Sequence, residues 1–393
     1  MNSPTIGNSC NITTGKLDSN HAVSGGKFPF FTCAVTPDTI DSFAFDDNVV
    51  LVAGNNAQGN FHVNRYKGKF NAYQRTYVLT AKPEFEIDFI YYSLKLELKR
   101  LKERCQGSQT KFLTKPILTS IHLRDIDKIA QQKIGAVLSA LDSKIELNNC
   151  INSELEAMAK TLYDYWFVQF DFPDKNGKPY KTSGGKMVWN EKLKRDIPEG
   201  WKVKRIGDFG EFKNGINYDP SLEGDTDAKI INVRNISSSN LFISQYDLDI
   251  IRLQESNVNN YLVTDKDILI ARSGIPGATR MMFEFAKNTI YCGFIIRFQV
   301  NTLIEKNYLF YFLKDMEKNT TSKSGGTIMS NVNQDTMKRM IVIEPNDQIV
   351  IKFNEFINPI FSKINGIIQE NQKLTELRDW LLPMLMNGQV KVS

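Results

Sequence analysis

Residues 134–166 read IGAVLSALDSKIELNNCINSELEAMAKTLYDYW, a run with no proline. A second run, residues 353–385, reads FNEFINPIFSKINGIIQENQKLTELRDWLLPML. In both runs apolar residues return every three or four positions, which is the spacing of a coiled-coil seam. The predicted seam positions are Ile134, Leu138, Leu141, Ile145, Asn152, Leu155, Leu162, Ile360, Ile364, Asn371, Leu374 and Leu381. We therefore predict two long helices, each of about forty residues and ~60 Å.

Polar residues, among them Asn148, Asn152 and Asn371, interrupt this apolar pattern. Asn152 and Asn371 occupy equivalent seam positions, and a buried Asn lowers stability but fixes the register of a coiled coil. The alternative, a hydrated Asn at a loose helix end, is equally compatible with the sequence. Pro359 is expected to disturb the second helix in its first turns, because proline lacks the backbone donor.

The chain also repeats itself. When it is shifted by 219 residues, twelve identities occur in the 71 positions from 92 to 162, including the triplet at residues 143–145 with that at 362–364. About four identities are expected by chance, since each residue type occurs at roughly one in twenty. Earlier segments match at offsets of 218 and 200, so the second copy carries about 19 extra residues near its start. Each copy has strand-like runs, then a short helix candidate (residues 89–102 or 308–317), and then a long helix.

Composition narrows the class of protein. The 393 residues are 41% hydrophobic and carry a net charge of +5, which permits nucleic-acid binding without requiring it. No apolar run approaches the ~20 residues of a membrane span, and the first residues lack signal-peptide features. The five cysteines show no CxxC spacing and the three histidines are far apart, so we expect a reduced, cytoplasmic protein without a metal site.

Motifs for catalysis are incomplete. Residues 358–361 (NPIF) lack the second proline of an adenine methyltransferase motif and lie within the heptad pattern. Residues 183–187 (SGGKM) lack the Ser or Thr that follows the lysine of a phosphate-binding loop. The Pro-Asp pairs at 37–38 and 173–174 are more typical of turns than of a nuclease metal site. The sequence thus argues against a catalytic chain.

The connector between the copies carries a specific resemblance. Residues 167–170, then YKTSGGKMVW at 180–189 and IPEGW at 197–201, resemble the central connector of type I restriction–modification specificity subunits. The C-terminal LLPMLMNG at 381–388 does the same. GGKFPFF at 25–31, GKFNAYQRTYVL at 68–79 and ILIARSGIPG at 268–277 resemble a common type of target recognition domain. The resemblance covers nearly the whole chain in the same order.

This resemblance implies a non-catalytic subunit that reads double-stranded DNA. Each of two target recognition domains would read half of a bipartite sequence. The helices would set the distance between the half-sites and dock two methyltransferase subunits, and restriction (motor) subunits would join the assembled complex. AdoMet, ATP and Mg would be bound by those partners, and this chain would bind no cofactor.

Polar and basic loops are the candidate DNA contacts, because Lys and Arg bind phosphates while Arg, Lys, Asn and Gln read bases. A glycine-rich loop with basic residues and tyrosines occurs in the first copy, and ARSGIPGATR at 271–280 occupies the equivalent place in the second. A further polar loop follows each short helix. For any single residue a solvated turn is the simpler interpretation. The predicted contacts are Asn55, Asn56, Gln58, Arg65, Lys67, Lys69, Tyr73, Arg75, Lys111, Arg272, Ser273, Arg280, Lys323, Thr327 and Asn331.

The predicted fold class is α+β. Two similar globular target recognition domains, residues 1–122 and 201–344, would be joined by two long antiparallel coiled-coil helices in a pseudo-twofold tandem repeat. The first long helix is expected at 123–167, a connector at 168–200, and the second helix with a C-terminal tail at 345–393. Two rival functions remain: a coiled-coil adaptor that does not bind DNA, and a single-chain methyltransferase with fused recognition domains.

Overall fold

The chain folds into two compact units. A computed structural model describes residues 3–55, 61–104, 112–218, 224–321 and 332–392. Unit 1 comprises residues 1–147 and 373–393, and unit 2 comprises residues 148–372.

Unit 1 is built on a six-stranded sheet in the order β1-β6-β4-β5-β2-β3. Both faces of this sheet are buried at residues 49–53, a continuous apolar run in β4. Val50, Val52 and Leu79 pack with the helix α2 on one face, and Val49, Leu51 and Val78 belong to a second cluster on the other. Its elements are α1 (Ile6–Ser9), β1 (Cys10–Thr14), β2 (Phe28–Phe31), β3 (Asp38–Ile40), β4 (Phe45–Ala53), β5 (Val63–Ala72), β6 (Thr76–Ala81), α2 (Ile87–Arg104), α3 (Lys115–Thr119) and the start of α4 (Lys128–Tyr163).

One π-helical turn, Asp164–Val168, leads from α4 into the connector, which contains the hairpin of β7 (Met187–Asn190) and β8 (Arg195–Pro198). An aromatic stack organises it. The ring of Phe172 lies 4.7 Å from that of Tyr180 and 5.0 Å from that of Trp201, measured between centroids. The stack belongs to the largest core cluster of unit 2. The connector is therefore packed structure within that unit.

Unit 2 repeats the strand plan in smaller sheets, with orders β10-β16-β13-β14, β12-β11-β15 and β17-β9. Its elements are β9 (Lys202–Arg205), β10 (Gly210–Asn214), β11 (Thr226–Ile231), α5 (Val233–Ser237), β12 (Asp249–Leu253), α6 (Glu255–Asn260), β13 (Asp267–Ala271), β14 (Thr279–Arg280), β15 (Thr289–Tyr291), β16 (Ile295–Val300), α7 (Leu303–Thr321), α8 (Gln334–Arg339), β17 (Ile341–Glu344) and α9 (Asp347–Asn387). Short 3₁₀ turns occupy Ser19–His21, Ile206–Phe209 and Gln245–Asp247.

Strand pairing confirms the tandem repeat. Equivalent strands pair in the same register at the offsets found in the sequence. The matching pairs are Cys10 with Ala81 and Gly210 with Val300, then Ala53 with Thr76 and Ala271 with Ile295. The offset is still 200 at β2 and β11 and has become 218 at β4 and β13. The extra residues of the second copy thus lie between these strands, where α5 and α6 occur.

Equivalent glycines of the two units, Gly15 and Gly215, lie directly against the backbone of a neighbouring segment. A Cβ at Gly15 would lie 1.9 Å from the carbonyl oxygen of Ala72, and a Cβ at Gly215 would lie 2.2 Å from that of Cys292. No side chain fits at such a distance. The sequence match between these two glycines therefore reflects the same close approach of two backbone segments in each copy.

Local signals explain where the long helices begin and end. Asp127 accepts a hydrogen bond from the backbone N–H of Ala130 at 2.7 Å, which caps the start of α4. Gly388, at φ +78°, ends α9, with the Gln389 N–H donating to the Met384 carbonyl at 2.9 Å. The expectation that Pro359 disturbs the second helix is wrong, since α9 runs through it without a break.

The two helices run antiparallel within each unit. In unit 1, Ile134 and Leu138 share a core with Leu381. In unit 2, Leu155 and Leu162 pack with Ile360 and Ile364. Three further seam positions, Leu141, Ile145 and Leu374, are half-buried.

A polar layer interrupts the apolar seam at Asn371. Asn371 pairs with Asn148, whose buried amide donates to the Asn371 Oδ1 at 2.8 Å and to the Glu370 carboxylate at 2.9 Å. Asn371 in turn donates to Asn149 at 2.9 Å. Asn152 is half-buried and its Oδ1 accepts no hydrogen bond. Asn371 is therefore a bonded seam residue, and its partner comes from the heptad position before Asn152.

Candidate nucleic-acid interface

The ends of three segments meet at one edge of unit 1. The Gly54 N–H donates to the Arg75 carbonyl at 2.8 Å, and the Leu113 N–H donates to the Gly54 carbonyl at 2.9 Å. Asn55 and Phe112 form a β-bridge beside them. The first predicted polar loop follows Asn55 in the sequence, and the second precedes Phe112, so one end of each lies at this edge. We call Asn55, Arg75 and Phe112 edge 1.

Edge 1 presents a guanidinium group to solvent. The Arg75 side chain is exposed, and its guanidinium carbon lies 6.0 Å from the ring centroid of Phe112. Such a cation–π contact orients the arginine without consuming its hydrogen-bond donors. These donors fit guanine O6 and N7 or a phosphate.

The other basic candidates of the first copy are not gathered at edge 1. Lys67 and Lys69 are exposed on β5 and pair in register with Asn48 and Asp46. The ammonium of Lys69 lies 4.7 Å above the ring of Phe43. Tyr73 is half-buried in the turn after β5. Exposed lysines of this kind suit phosphate contacts, which position DNA without reading sequence.

Arg65 has a structural role. Its Nε donates to Asp88 at 2.7 Å, and its Nη1 donates to the backbone carbonyls of Val49 and Tyr66 at 3.1 and 2.9 Å. These bonds tie β5 to the start of α2 and occupy the guanidinium. The Arg65 side chain is half-buried, and these bonds hold it against unit 1, so its surroundings do not favour the predicted DNA contact.

Unit 2 has an equivalent edge. The Arg272 N–H donates to the Phe294 carbonyl at 2.8 Å, which repeats the bond between Gly54 and Arg75. The Arg272 side chain is exposed, and its Nη1 donates to the Gly293 carbonyl at 3.1 Å. Ser273 is half-buried at the start of a turn whose Gly274 and Gly277 have φ of +74° and +86°. We call Arg272, Ser273 and Phe294 edge 2.

Arg280 is buried behind that edge. Only 5% of the residue is exposed, and its guanidinium binds both carboxylate oxygens of Glu317 at 2.9 and 3.3 Å. Burial raises the pKa of Glu317, but the hydrogen bond from Arg280 and the charge of Lys314 outweigh it and leave the pKa below its usual value. We correct the sequence prediction for Arg280, which joins β14 to α7 and has no free surface for DNA.

Several predicted contacts fall on residues 56–60, 105–111 and 322–331, outside the described residues. They are Asn56, Gln58, Lys111, Lys323, Thr327 and Asn331. Across the described ranges, no three His, Cys, Asp or Glu residues are arranged to hold a metal ion. In the same ranges no helix is long and apolar enough to cross a membrane.

The two edges also contain aromatic residues that the sequence interpretation did not select. Phe112 is 54% exposed and Phe294 is 62% exposed. Phe294 stands at the position of Arg75, at the offset of 219. Applying that offset to the predicted contacts would have marked Phe294 from the sequence alone.

The chain matches the type I restriction modification DNA specificity domain over residues 3–157 and again over residues 198–377. Two copies of a DNA specificity domain define the class to which this fold belongs. The protein is a member of the type I restriction–modification specificity subunit family.

Individual relatives agree with this assignment. The chain is 27% identical to the MjaIX specificity subunit of Methanocaldococcus jannaschii over 78% of its length and 69% of that protein. It is 39% identical to the EcoDI specificity subunit of Escherichia coli, over 36% of this chain and 31% of that protein, so that match spans about a third of the relative. The crystal structure of an S subunit from M. genitalium is similar, with a TM-score of 0.58 and 18% identity, over 98% of this chain and 96% of that one. That likeness supports the fold.

Proposed function

We propose that this chain reads a bipartite DNA sequence, with one recognition domain for each half-site. The observation that carries the proposal is the repeated edge. The same backbone bond, Gly54 to Arg75 in unit 1 and Arg272 to Phe294 in unit 2, is accompanied by an exposed arginine in each unit. A guanidinium at a loop-bearing edge suits base reading in the major groove.

Charge and exposure favour different roles for different residues. Arg75 and Arg272 are the proposed base-reading residues, with Asn55 and Ser273 beside them. Lys67 and Lys69 are the proposed phosphate contacts, which supply affinity that depends on salt. We retain residues 1–122 and 201–344 as the recognition domains, 123–167 and 345–393 as helical segments, and 168–200 as the connector.

The chain is proposed to work without catalysis of its own. Two methyltransferase subunits would dock on α4 and α9, and restriction subunits would join that assembly in the cytoplasm. AdoMet, ATP and Mg would then be bound by the partners. Transfer of a labelled methyl group by the isolated chain would contradict this part of the proposal.

A domain exchange tests the bipartite reading. Residues 1–122 are replaced by the recognition domain of another specificity subunit, and the chain is reconstituted with its methyltransferase subunits. Sequencing of the methylated DNA should show a change in one half of the motif only. A change in both halves would refute the assignment of one domain to each half-site. An absence of salt-dependent DNA binding would favour the adaptor function instead.

A further inference from the structure

An exposed phenylalanine accompanies the exposed arginine at each edge. Phe112 and Phe294 are 54% and 62% exposed, although a phenyl ring in water gains nothing from that exposure. Single exposed apolar residues are common on protein surfaces, so exposure alone does not indicate function. The position is informative here. Phe112 lies beside Asn55, where the chain leaves β4, and Phe294 lies beside Arg272, where the equivalent turn leaves β13.

The two copies reach this arrangement from different sequence positions. In unit 1 the arginine is Arg75, and the ring follows the second loop at Phe112. In unit 2, Phe294 occupies the position of Arg75, and the arginine is residue 272, which occupies the position of Gly54. Arginine and phenylalanine thus occur together at both edges although neither residue is kept at its own position. A requirement for the pair explains this better than inherited identity.

We propose that Phe112 and Phe294 make an apolar contact to a base, one in each half-site, next to the arginine that reads the neighbouring base pair. This inference rests on the proposed DNA-reading function. Two sources of such a contact share the same chemistry. A ring can pack on the methyl group of a thymine, or it can enter between two bases as a wedge.

The test uses the full chain reconstituted with its methyltransferase subunits, on a duplex that carries the motif found by sequencing methylated DNA. Affinity is measured for this duplex and for a random duplex with Phe112→Ala and Phe294→Ala. Each variant should lose about tenfold on the motif and less than about twofold on random DNA, in line with the loss of one base contact. With one half of the motif scrambled, the effect of each variant should vanish for one half only.

Matched controls are available in the same units. Phe43 and Phe283 are 44% and 40% exposed and lie outside edges 1 and 2. Phe283 packs on Phe242, with ring centroids 5.8 Å apart, and the following Glu284 accepts a hydrogen bond from Gln369 of α9. Phe283→Ala should leave the ratio of motif to random affinity unchanged. Phe43→Ala should also leave that ratio unchanged, because its ring contacts Lys69, a proposed phosphate contact that acts on both duplexes alike.

Two further measurements distinguish a contact to a thymine methyl group from a wedge between bases. Replacement of thymine by uracil should weaken the wild type but not the matching Phe→Ala variant if the ring contacts a methyl group. A rise of 2-aminopurine fluorescence on binding, absent in the variant, would instead identify a wedge.

The outcomes separate the two proposals. A wild-type complex that does not distinguish the motif from random DNA would refute the proposed function. A wild-type complex that does distinguish them, with both Phe→Ala variants at the wild-type ratio or with the controls equally impaired, would overturn only the assignment of Phe112 and Phe294.

Discussion

Replacement of Arg280 by alanine should unfold unit 2 more easily without a specific effect on base reading. The guanidinium is buried and makes four hydrogen bonds, two to Glu317 and two to the carbonyls of Ser239 and Thr279 at 2.6 and 2.7 Å. Removal of one partner from a buried ion pair costs about 3–5 kcal/mol. Lys314 remains 3.3 Å from the Glu317 carboxylate and offsets part of the loss. We therefore expect a destabilisation of about 3 kcal/mol, at the lower end of that range.

Urea denaturation followed by tryptophan fluorescence measures this effect. Trp166 and Trp201 are buried in the core of unit 2, so their emission reports its unfolding. With a slope of about 3 kcal/mol per molar urea, the transition should shift by about 1 M. Arg272→Ala is the matched control and should shift it little, because that side chain is exposed. A normal urea transition for Arg280→Ala, combined with lost base discrimination, would refute the reasoning and return Arg280 to the DNA surface.

Three other predictions concern base reading, the helices and pH. Arg272→Ala should relax discrimination at one base by about 1–3 kcal/mol, whereas Lys69→Ala should weaken binding to all sequences and reduce the salt slope; competition binding across salt concentrations separates them. One heptad inserted after Asn148 and another after Ile367 add ~10.5 Å to each helix, so the gap between the two halves of the methylated motif should lengthen by about three base pairs and binding should weaken. An unchanged gap would show that the helices do not determine the gap length. The pKa of Glu317 is lowered in the folded protein, so the carboxylate stabilises the fold above about pH 4.5, and this stabilisation is lost as the pH falls through the folded pKa. Urea midpoints measured against pH should lose this component of acid destabilisation in Glu317→Gln, and identical pH profiles of variant and wild type would contradict the prediction.

The sequence predicted the repeated and periodic parts of the fold well. Strand register and seam burial follow from local patterns, which is why the offset of 219 and the positions of Ile134 and Leu138 agree with the structure. The partner of Asn371 was not predictable, because an antiparallel pairing depends on how two distant segments align. The ion pairs of Arg65 and Arg280 were not predictable for a related reason. An arginine held by a carboxylate and an exposed arginine look alike in sequence until the partners, here Asp88 and Glu317, are located in space.

Gly15 and Gly215 differ from the edge residues in how much sequence variation the backbone allows. At Gly15 and Gly215 any side chain would collide with backbone, so substitution there should abolish folding in either copy. Residues 75 and 294 share one backbone position yet carry a guanidinium in one copy and a phenyl ring in the other. Because we propose both positions as base contacts, a combinatorial library at residues 75 and 294, with both glycines fixed, is expected to change DNA specificity on an unchanged scaffold.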